Sequence, residues 1–179
     1  GIREYIKGKT KIDSNYIVLM EGLHCLNDDL TPYINNDIKF KIYLSPFMPL
    51  NLDSNNYIST TDLRLIRRMI RDNRTRGNDV SKTICSWQDV RSGEEKYIFP
   101  YINTSDVIIN TSLVYELGVL KVFAEPLLYS VGTDSVYYEE ARRLINFLKN
   151  YYPISSEYIA DDCVLREFKI GRASCRERV

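Results

Sequence analysis

Three short apolar runs divide the first 110 residues of the chain, at residues 16–20, 40–44 and 105–110. The first and the third are typical of strands that are buried on both faces of a parallel sheet, and the second is typical of a short strand. The stretches between them show helical periodicity, and an alternation of strands and helices predicts an α/β fold.

The most regular helical pattern covers residues 60–76. Its apolar residues recur at helical spacing and predict one buried face, formed by Leu63, Leu65, Ile66, Met69 and Ile70. Thr60 or Thr61 is suited to cap the start of this helix, Asp62 suits the positive end of the helix dipole, and Gly77 is suited to end the helix.

Further helices are predicted after this one. In chain order they cover residues 78–91, 94–99, 112–122 and a C-terminal pair at 127–129 and 136–151. The last of them has one apolar face, formed by Ala141, Leu144, Ile145, Phe147 and Leu148. Ser92 and Gly93 are placed to stop the first of them. The glycine corner at Gly77 suggests that the helices on either side of it form a mobile flap.

A row of arginines occupies one face of the helix predicted over residues 60–76. It consists of Arg64, Arg67, Arg68 and Arg71, at positions i, i+3, i+4 and i+7. Like charges at this spacing repel each other, and only Asp62 and Asp72 are near enough in sequence to offset the repulsion. Because arginine binds phosphate through two parallel hydrogen bonds, the row suits a polyphosphate ligand. The alternative is the solvated basic face of an amphipathic helix.

A second candidate site follows the first apolar run. Ligands of open α/β sheets bind beyond the carboxyl ends of the strands, so we expect Glu21, His24 and Asn27 to face a site. A glutamate that closes a buried strand is costly unless it is paired or helps to hold Mg²⁺, directly or through water. A capping or salt-bridge role for Glu21 is the alternative.

Composition limits the classes of function. A chain of 179 residues, 44% of them hydrophobic, is expected to form one domain. Lysine plus arginine equals aspartate plus glutamate, 24 each, so no overall field attracts nucleic acid or an anionic membrane. The four cysteines show no Cys-x-x-Cys spacing, which argues against a zinc site and fits reduced thiols in a cytoplasmic protein. No apolar run is long enough to span a membrane.

Four blocks of sequence point to a known family. They are IVLMEGLH (17–24), KFKIYL (39–44), DLRLIRRMIRD (62–72) followed by Arg76-Gly77, and SDVII (105–109). In order and spacing they resemble the uridine kinase-type nucleoside kinases of the phosphoribulokinase/uridine kinase group of P-loop kinases, over roughly residues 16–122, and the Arg-Arg-x-x-Arg-Asp segment is specific. Further blocks, such as GEEKYIFP (93–100) and LREF (165–168), are similar to a bacterial branch of nucleoside kinases.

The resemblance implies a fold and a reaction. The fold is a partial P-loop NTPase, a parallel sheet with flanking helices and an arginine-rich helical lid. The reaction is transfer of the γ-phosphoryl group of ATP, with Mg²⁺, to the 5′-hydroxyl of uridine or cytidine. A closing lid suits this chemistry, because phosphoryl transfer depends on positioning, on neutralising charge and on excluding water.

The resemblance also assigns residues. Arg68, Arg71 and Arg76 match lid arginines that contact phosphates or the nucleoside, and Arg64 and Arg67 are their neighbours, so we expect all five to bind the ATP phosphates. Glu21, Arg68 and Arg71 are the expected catalytic residues. The residues expected to contact the nucleoside are His24, Asn27, Arg76, Asn78 and Ser86. For His24 the alternative is a partly buried ring that is satisfied by the backbone.

Two departures from the family leave the substrate open. Asn78 stands where uridine kinases tend to have a second arginine, and Ser86-Trp87 stands where they have Gln-Tyr. The first alternative is a P-loop kinase for another small hydroxylated substrate, such as phosphoribulose or pantothenate. The second is a non-catalytic phosphate- or RNA-binding module, although the arginine helix lacks the interleaved aromatic residues that such modules use.

The predicted organisation has three parts. Residues 1–122 form the C-terminal portion of a kinase domain, residues 123–169 form a helical extension, and residues 170–179 (IGRASCRERV) read like a translated sequencing adapter. The family's glycine-rich loop, its first strand and the aspartate that activates the hydroxyl would all lie upstream of Gly1. We therefore expect an N-terminally truncated fragment that does not turn over alone. Its expected partners are ATP and a nucleoside, without nucleic acid or membrane, and a homo-oligomer is one possible assembly.

Overall fold

The computed structural model describes residues 13, 15–48 and 50–168, so the tail predicted over 170–179 lies outside the described residues. The strands are β1 (Ile42–Ser45) and β2 (Val107–Asn110). The α-helices are α1 (Thr60–Arg76), α2 (Val80–Cys85), α3 (Trp87–Tyr97), α4 (Glu116–Tyr129) and α5 (Tyr138–Leu148). Short 3₁₀ helices cover Asp28–Leu30, Asn36–Ile38, Phe99–Thr104, Ser156–Tyr158 and Val164–Phe168.

The two strands form a small parallel sheet, which confirms the predicted α/β class. Ile42 pairs with Val107, and the register continues to Ser45 opposite Asn110. The three helices α1, α2 and α3 make the crossover between the strands, as parallel pairing requires. The burial predicted for the strand at residues 105–110 is wrong, because Ile108 is 52% exposed.

The strand predicted over residues 16–20 is also wrong. This segment has no strand structure, and Ile17 and Leu19 are 99% and 87% exposed. A strand exists only where another strand satisfies its backbone N–H and C=O groups. No segment of the described residues pairs with residues 16–20, so apolar sequence alone does not create the strand.

Helix α1 is the centre of the hydrophobic core and agrees with its prediction. Its apolar face is fully buried as expected and packs against α2, α4 and Val164–Phe168. The N-cap is Ser59 rather than Thr60 or Thr61, since the Ser59 side chain accepts a hydrogen bond from the Asp62 amide. Gly77 ends the helix with φ of 62°, the left-handed conformation that favours glycine.

The chain after Gly77 differs from its prediction. The single helix predicted over residues 78–91 is divided at Ser86 into α2 and α3. The stop predicted at Ser92-Gly93 is wrong, because α3 continues to Tyr97 and includes the helix predicted over residues 94–99. Glu94, on the buried side of α3, binds α1 and holds this longer helix against the core. Helices α1 and α2 are packed together here, and a mobile flap stays a prediction.

The C-terminal helices pack as a pair. The predicted segments 112–122 and 127–129 are one helix, α4, which continues through Pro126. Of the face predicted for α5, Ala141, Leu144, Ile145 and Leu148 are buried, and Phe147 is half-buried; the helix packs against α4. No helix in the described ranges has the length and apolar character needed to cross a membrane.

Candidate functional site

A cavity of about 270 Å³ lies against one face of β1. Tyr43 and Ser45, two residues apart on the strand, point to it from the sheet. The first turns of α1 contribute Thr60, Thr61 and Arg64, and the remaining lining residues are Phe47, Arg91, Phe99 and Ile102. The cavity therefore lies between the carboxyl-terminal half of β1 and the positive end of the α1 dipole.

The cavity combines cationic and aromatic groups. The Arg91 guanidinium donates to the Thr61 hydroxyl and, at 3.2 Å, to the Glu95 carboxylate. Tyr43 and Phe99 add aromatic surface. Guanidinium groups bind anionic oxygens and aromatic rings stack on flat ligands, so these lining residues suit a ligand that has both features.

Two arginines of α1 are held by buried carboxylates from other helices. The Arg64 guanidinium binds both oxygens of Glu94, with Nη1 2.6 Å from Oε2. Arg67 binds both oxygens of Glu116, with Nη2 2.7 Å from Oε2, and also donates to the carbonyl of Thr111 at 3.3 Å. Both carboxylates are buried, so these arginines tie α1 to α3 and α4.

The next three arginines of α1 are grouped around Asp72 and Glu167. Buried Asp72 lies 3.2 Å from Arg68 Nε and accepts a hydrogen bond of 2.8 Å from Arg76 Nη1. Among the described residues, the Arg71 guanidinium has one ion pair, of 3.8 Å, with Glu167. The Arg71 and Arg76 side chains stay 44% and 57% exposed. This exposure leaves them the most accessible of the five predicted arginines.

The expectation that only Asp62 and Asp72 offset the arginine row is wrong. Glu94 and Glu116 neutralise Arg64 and Arg67, while the Asp62 carboxylate binds Arg143 of α5 at 2.7 and 2.9 Å. These partners lie from 30 to 81 residues away in sequence. Sequence reasoning missed them because helical spacing reveals only neighbours three or four positions apart.

The segment that carries Glu21, His24 and Asn27 lies elsewhere. Glu21 and His24 are exposed, with the His24 ring edge-on to Tyr97 at 6.3 Å between centroids. Asn27 caps Asp28–Leu30, since its side chain accepts a 2.9 Å hydrogen bond from the Asp29 amide. None of the three predicted residues lines the 270 Å³ cavity. Their functional roles stay predictions.

Two lysines attach this segment to the start of β1. Lys41 Nζ lies 2.7 Å from one Asp28 carboxylate oxygen, and Lys39 Nζ lies 3.0 Å from the other. Hydrogen bonds from both ammonium groups hold the pKa of the Asp28 carboxyl below its usual range. The segment is therefore anchored at the amino end of β1, whereas the cavity lies towards the carboxyl end.

Asn78 and Ser86 both have local structural contacts. The Asn78 carbonyl accepts a 3.1 Å hydrogen bond from the Asn73 side chain, next to the glycine that ends α1. The Ser86 hydroxyl donates to the Thr83 carbonyl at 3.1 Å, where α2 gives way to α3. Neither residue lines the 270 Å³ cavity, and their predicted contacts with a nucleoside stay predictions.

Candidate metal ligands are sparse in the part of the chain that the structure describes. No group of three or more histidine, cysteine, aspartate or glutamate side chains there is arranged to hold a metal ion. Glu21 is exposed and does not belong to such a group.

The family of the chain follows from a comparison with family models. The model described as the Phosphoribulokinase / Uridine kinase family matches residues 3–116. No curated protein and no solved structure matched the chain. The matched range contains β1, α1, α2, α3 and β2 and ends at Glu116, the partner of Arg67. Members of this family are kinases, which transfer a phosphoryl group from ATP. Because the match covers more than half of its length, the chain belongs to the phosphoribulokinase/uridine kinase family.

Proposed function

We propose that the protein to which this chain belongs phosphorylates the 5′-hydroxyl of uridine or cytidine with ATP. The observation that carries the proposal is the family match over residues 3–116, which includes the Arg-Arg-x-x-Arg-Asp segment of α1. In this reaction the nucleoside hydroxyl oxygen bonds to the γ-phosphorus and the bond to the β,γ-bridging oxygen breaks. ADP leaves, and the hydroxyl proton passes to a base.

The proposed roles of the arginines follow from how tightly each is held. Releasing Arg64 or Arg67 would leave a buried carboxylate without its counter-ion, which costs about 3–5 kcal/mol. Their two-point pairs therefore support a positioning role for both residues, which keeps α1 fixed against α3 and α4. Direct contact with ATP is a weaker assignment for them.

Arg71 and Arg76 are the better candidates for phosphate contact. To bind a phosphate, Arg71 would give up its 3.8 Å ion pair with Glu167 on the protein surface. Exposed ion pairs of this kind contribute less than about 1 kcal/mol to stability. The Arg76 side chain is 57% exposed and reaches Asp72 through one hydrogen bond of 2.8 Å, and Asp72 also has an ion pair with Arg68. We propose that Arg71 and Arg76 neutralise charge on the ATP phosphates and that Arg68 holds Asp72 between them.

The proposed nucleoside contacts are His24, Asn27, Asn78 and Ser86. In the described conformation the first two lie at the amino end of β1 and the last two at the ends of α2. Glu21 is the proposed contact to the Mg²⁺ that accompanies ATP, directly or through water.

We further propose that this chain is a fragment without turnover of its own. The support is the sheet, which presents Ile42, Leu44, Val107 and Ile109 to solvent on one face. All-parallel sheets are almost always covered on both faces, so this face is expected to receive further structure. A cytoplasmic location fits the three free cysteines Cys25, Cys85 and Cys163. Binding to nucleic acid is not part of the proposal, and a homo-oligomer is one possible assembly.

The test compares arginine variants of the full-length protein. ATP-dependent phosphorylation is measured with uridine, cytidine, ribulose 5-phosphate and pantothenate as acceptors. Arg71→Ala and Arg76→Ala should each lower kcat/KM for the best acceptor by about 10²–10³-fold, as expected for lost charge stabilisation in the transition state. Arg74→Ala is the matched control from the same helix, because the one hydrogen bond of the Arg74 guanidinium within the described residues is to the Glu167 backbone carbonyl and not to a carboxylate.

The outcomes separate the alternatives. Activity with only ribulose 5-phosphate or pantothenate would replace the nucleoside with another substrate of the same family. Equal activity of Arg71→Ala and Arg74→Ala would refute the phosphate role of Arg71. Binding of RNA with steep salt dependence and no phosphorylation of any acceptor would favour the non-catalytic module. Steady-state turnover of uridine by the 179-residue chain alone would refute the fragment proposal.

A further inference from the structure

A second cavity, of about 290 Å³, lies between the end of α4 and the outer side of α5. Its position is outside the range that the family model matches, residues 3–116. The floor is apolar and consists of the buried side chains of Leu128, Val131, Ala141 and Ile145. An open cavity with this floor favours a ligand that has an apolar portion.

The rim of this cavity carries two cationic side chains from one face of α5. Arg142 and Lys149 lie seven residues apart, with Asn146 between them, and all three line the cavity. Within the described residues no carboxylate lies within ion-pair distance of Arg142. Lys149 is the C-cap of α5, and its ammonium makes one hydrogen bond to a described residue, of 3.0 Å to the Asn146 side-chain oxygen.

Arg143, the next residue of α5, differs from Arg142 because it has two carboxylate partners. Its guanidinium binds the Asp62 carboxylate at 2.7 and 2.9 Å and the Glu140 carboxylate at 2.8 Å. These contacts raise the pKa of Arg143 above its usual range. In the part of the chain that the structure describes, Arg143 outside the cavity therefore has counter-ions, whereas Arg142 on the rim has none.

Two tyrosines complete the rim. Tyr129 ends α4 with 65% of its surface exposed, and half-buried Tyr138 begins α5. Phenol rings provide flat surfaces for a second ring at low cost in conformational entropy. The cavity volume is close to the lower end of the range of about 300–1,000 Å³ that is usual for small-molecule sites.

We propose that this cavity binds a small aromatic anion. The ring would lie on the apolar floor beside Tyr129 and Tyr138, and a carboxylate or phosphate would bind Arg142 and Lys149. Two cations that share one anion gain more than either does alone, because the anion also removes their mutual repulsion. The site is separate from the kinase chemistry and does not depend on the proposed substrate.

The test uses four probes on the 179-residue chain. Phenyl phosphate and benzoate combine ring and charge, benzyl alcohol supplies the ring alone, and inorganic phosphate supplies the charge alone. By calorimetric titration at low salt, at least one of the two ring anions should bind about tenfold or more tightly than both simpler probes. The tighter ring anion identifies the head group, phosphate or carboxylate.

Variants of α5 locate the binding. Arg142→Gln and Lys149→Gln should each lower the affinity for the ring anion about tenfold, which is the loss expected for one charged hydrogen bond. Arg143→Gln is the matched control and should leave the affinity unchanged, with folding of all variants checked by circular dichroism. The proposal is overturned if Arg142→Gln binds as the unaltered chain does, if benzyl alcohol matches both anions, or if neither anion binds saturably up to about 1 mM.

Discussion

Arg67 of α1 and Glu116, the first residue of α4, form a two-point ion pair inside the protein. The Glu116 carboxylate is fully buried and also accepts a 3.2 Å hydrogen bond from the Leu113 amide. The Arg67 guanidinium makes a further hydrogen bond to the Thr111 carbonyl, just after β2. One pair of side chains therefore joins the central helix, the end of the sheet and the C-terminal helices.

Glu116→Gln should destabilise the fold strongly. The substitution preserves shape but leaves the half-buried Arg67 guanidinium without its counter-ion, at a cost of up to about 3–5 kcal/mol in the free energy of unfolding. Urea unfolding followed by circular dichroism measures the change. Glu139→Gln on α5 is the control, since Glu139 is exposed and its loss should stay within about 0.5 kcal/mol. Equal stability of the two variants would show that the buried pair is not a major support of the fold.

Gly118→Ala and Gly93→Ala should have opposite effects. A Cβ atom on Gly118 of α4 would lie 2.7 Å from the Tyr152 carbonyl oxygen and 2.9 Å from Ile154 Cδ1, so the backbone must shift, at about 1–3 kcal/mol. A Cβ atom on Gly93 of α3 meets nothing within 4 Å, and alanine there should stabilise the helix by about 0.5–1 kcal/mol. Thermal unfolding of both variants tests the pair. A stable Gly118→Ala would contradict the close packing of α4 on residues 152–154.

Tyr151→Phe should stabilise the protein, most of all at high pH. The Tyr151 hydroxyl is buried and has no hydrogen-bond partner among the described residues, and burial raises its pKa to about 12. Above pH 10 the unfolded chain loses this proton while the folded protein keeps it, so wild-type stability falls as pH rises towards 12. Melting temperatures between pH 9 and 11 should diverge in favour of Tyr151→Phe. Tyr158→Phe, at an 86% exposed position, is the control that should follow the wild type.

Asp28→Asn should remove an acid-sensitive part of the fold. The pKa of Asp28 is lowered by its hydrogen bonds to Lys41 and Lys39, so its stabilising effect is present above its usual value of 3.8. That effect is lost as pH falls below this value, when the carboxylate is protonated. Amide exchange of residues 24–31, measured from pH 6 to pH 3, should show the wild type converging on Asp28→Asn at the acid end. Asp29→Asn, at an exposed neighbour, should behave as the wild type throughout.

Local sequence patterns predict the structure correctly where the contacts that determine it are close in sequence. The apolar face of α1, its end at Gly77 and the buried face of α5 all follow from helical spacing, and each agrees with the structure. The two confirmed strands follow from short apolar runs. The kinase family was also accessible, because the blocks that carry it are continuous segments of the chain.

Contacts between segments far apart in sequence determine the features that the sequence did not predict. The carboxylate partners of Arg64 and Arg67 lie 30 and 49 residues away in sequence. Helical spacing therefore cannot reveal that these two members of the arginine row are bound to buried carboxylates. The run at residues 16–20 has the composition of a buried strand, but no described strand pairs with it. Helical periodicity and caps act within about one or two turns and can be read along the chain, whereas strand pairing and buried ion pairs depend on segments that only folding brings together.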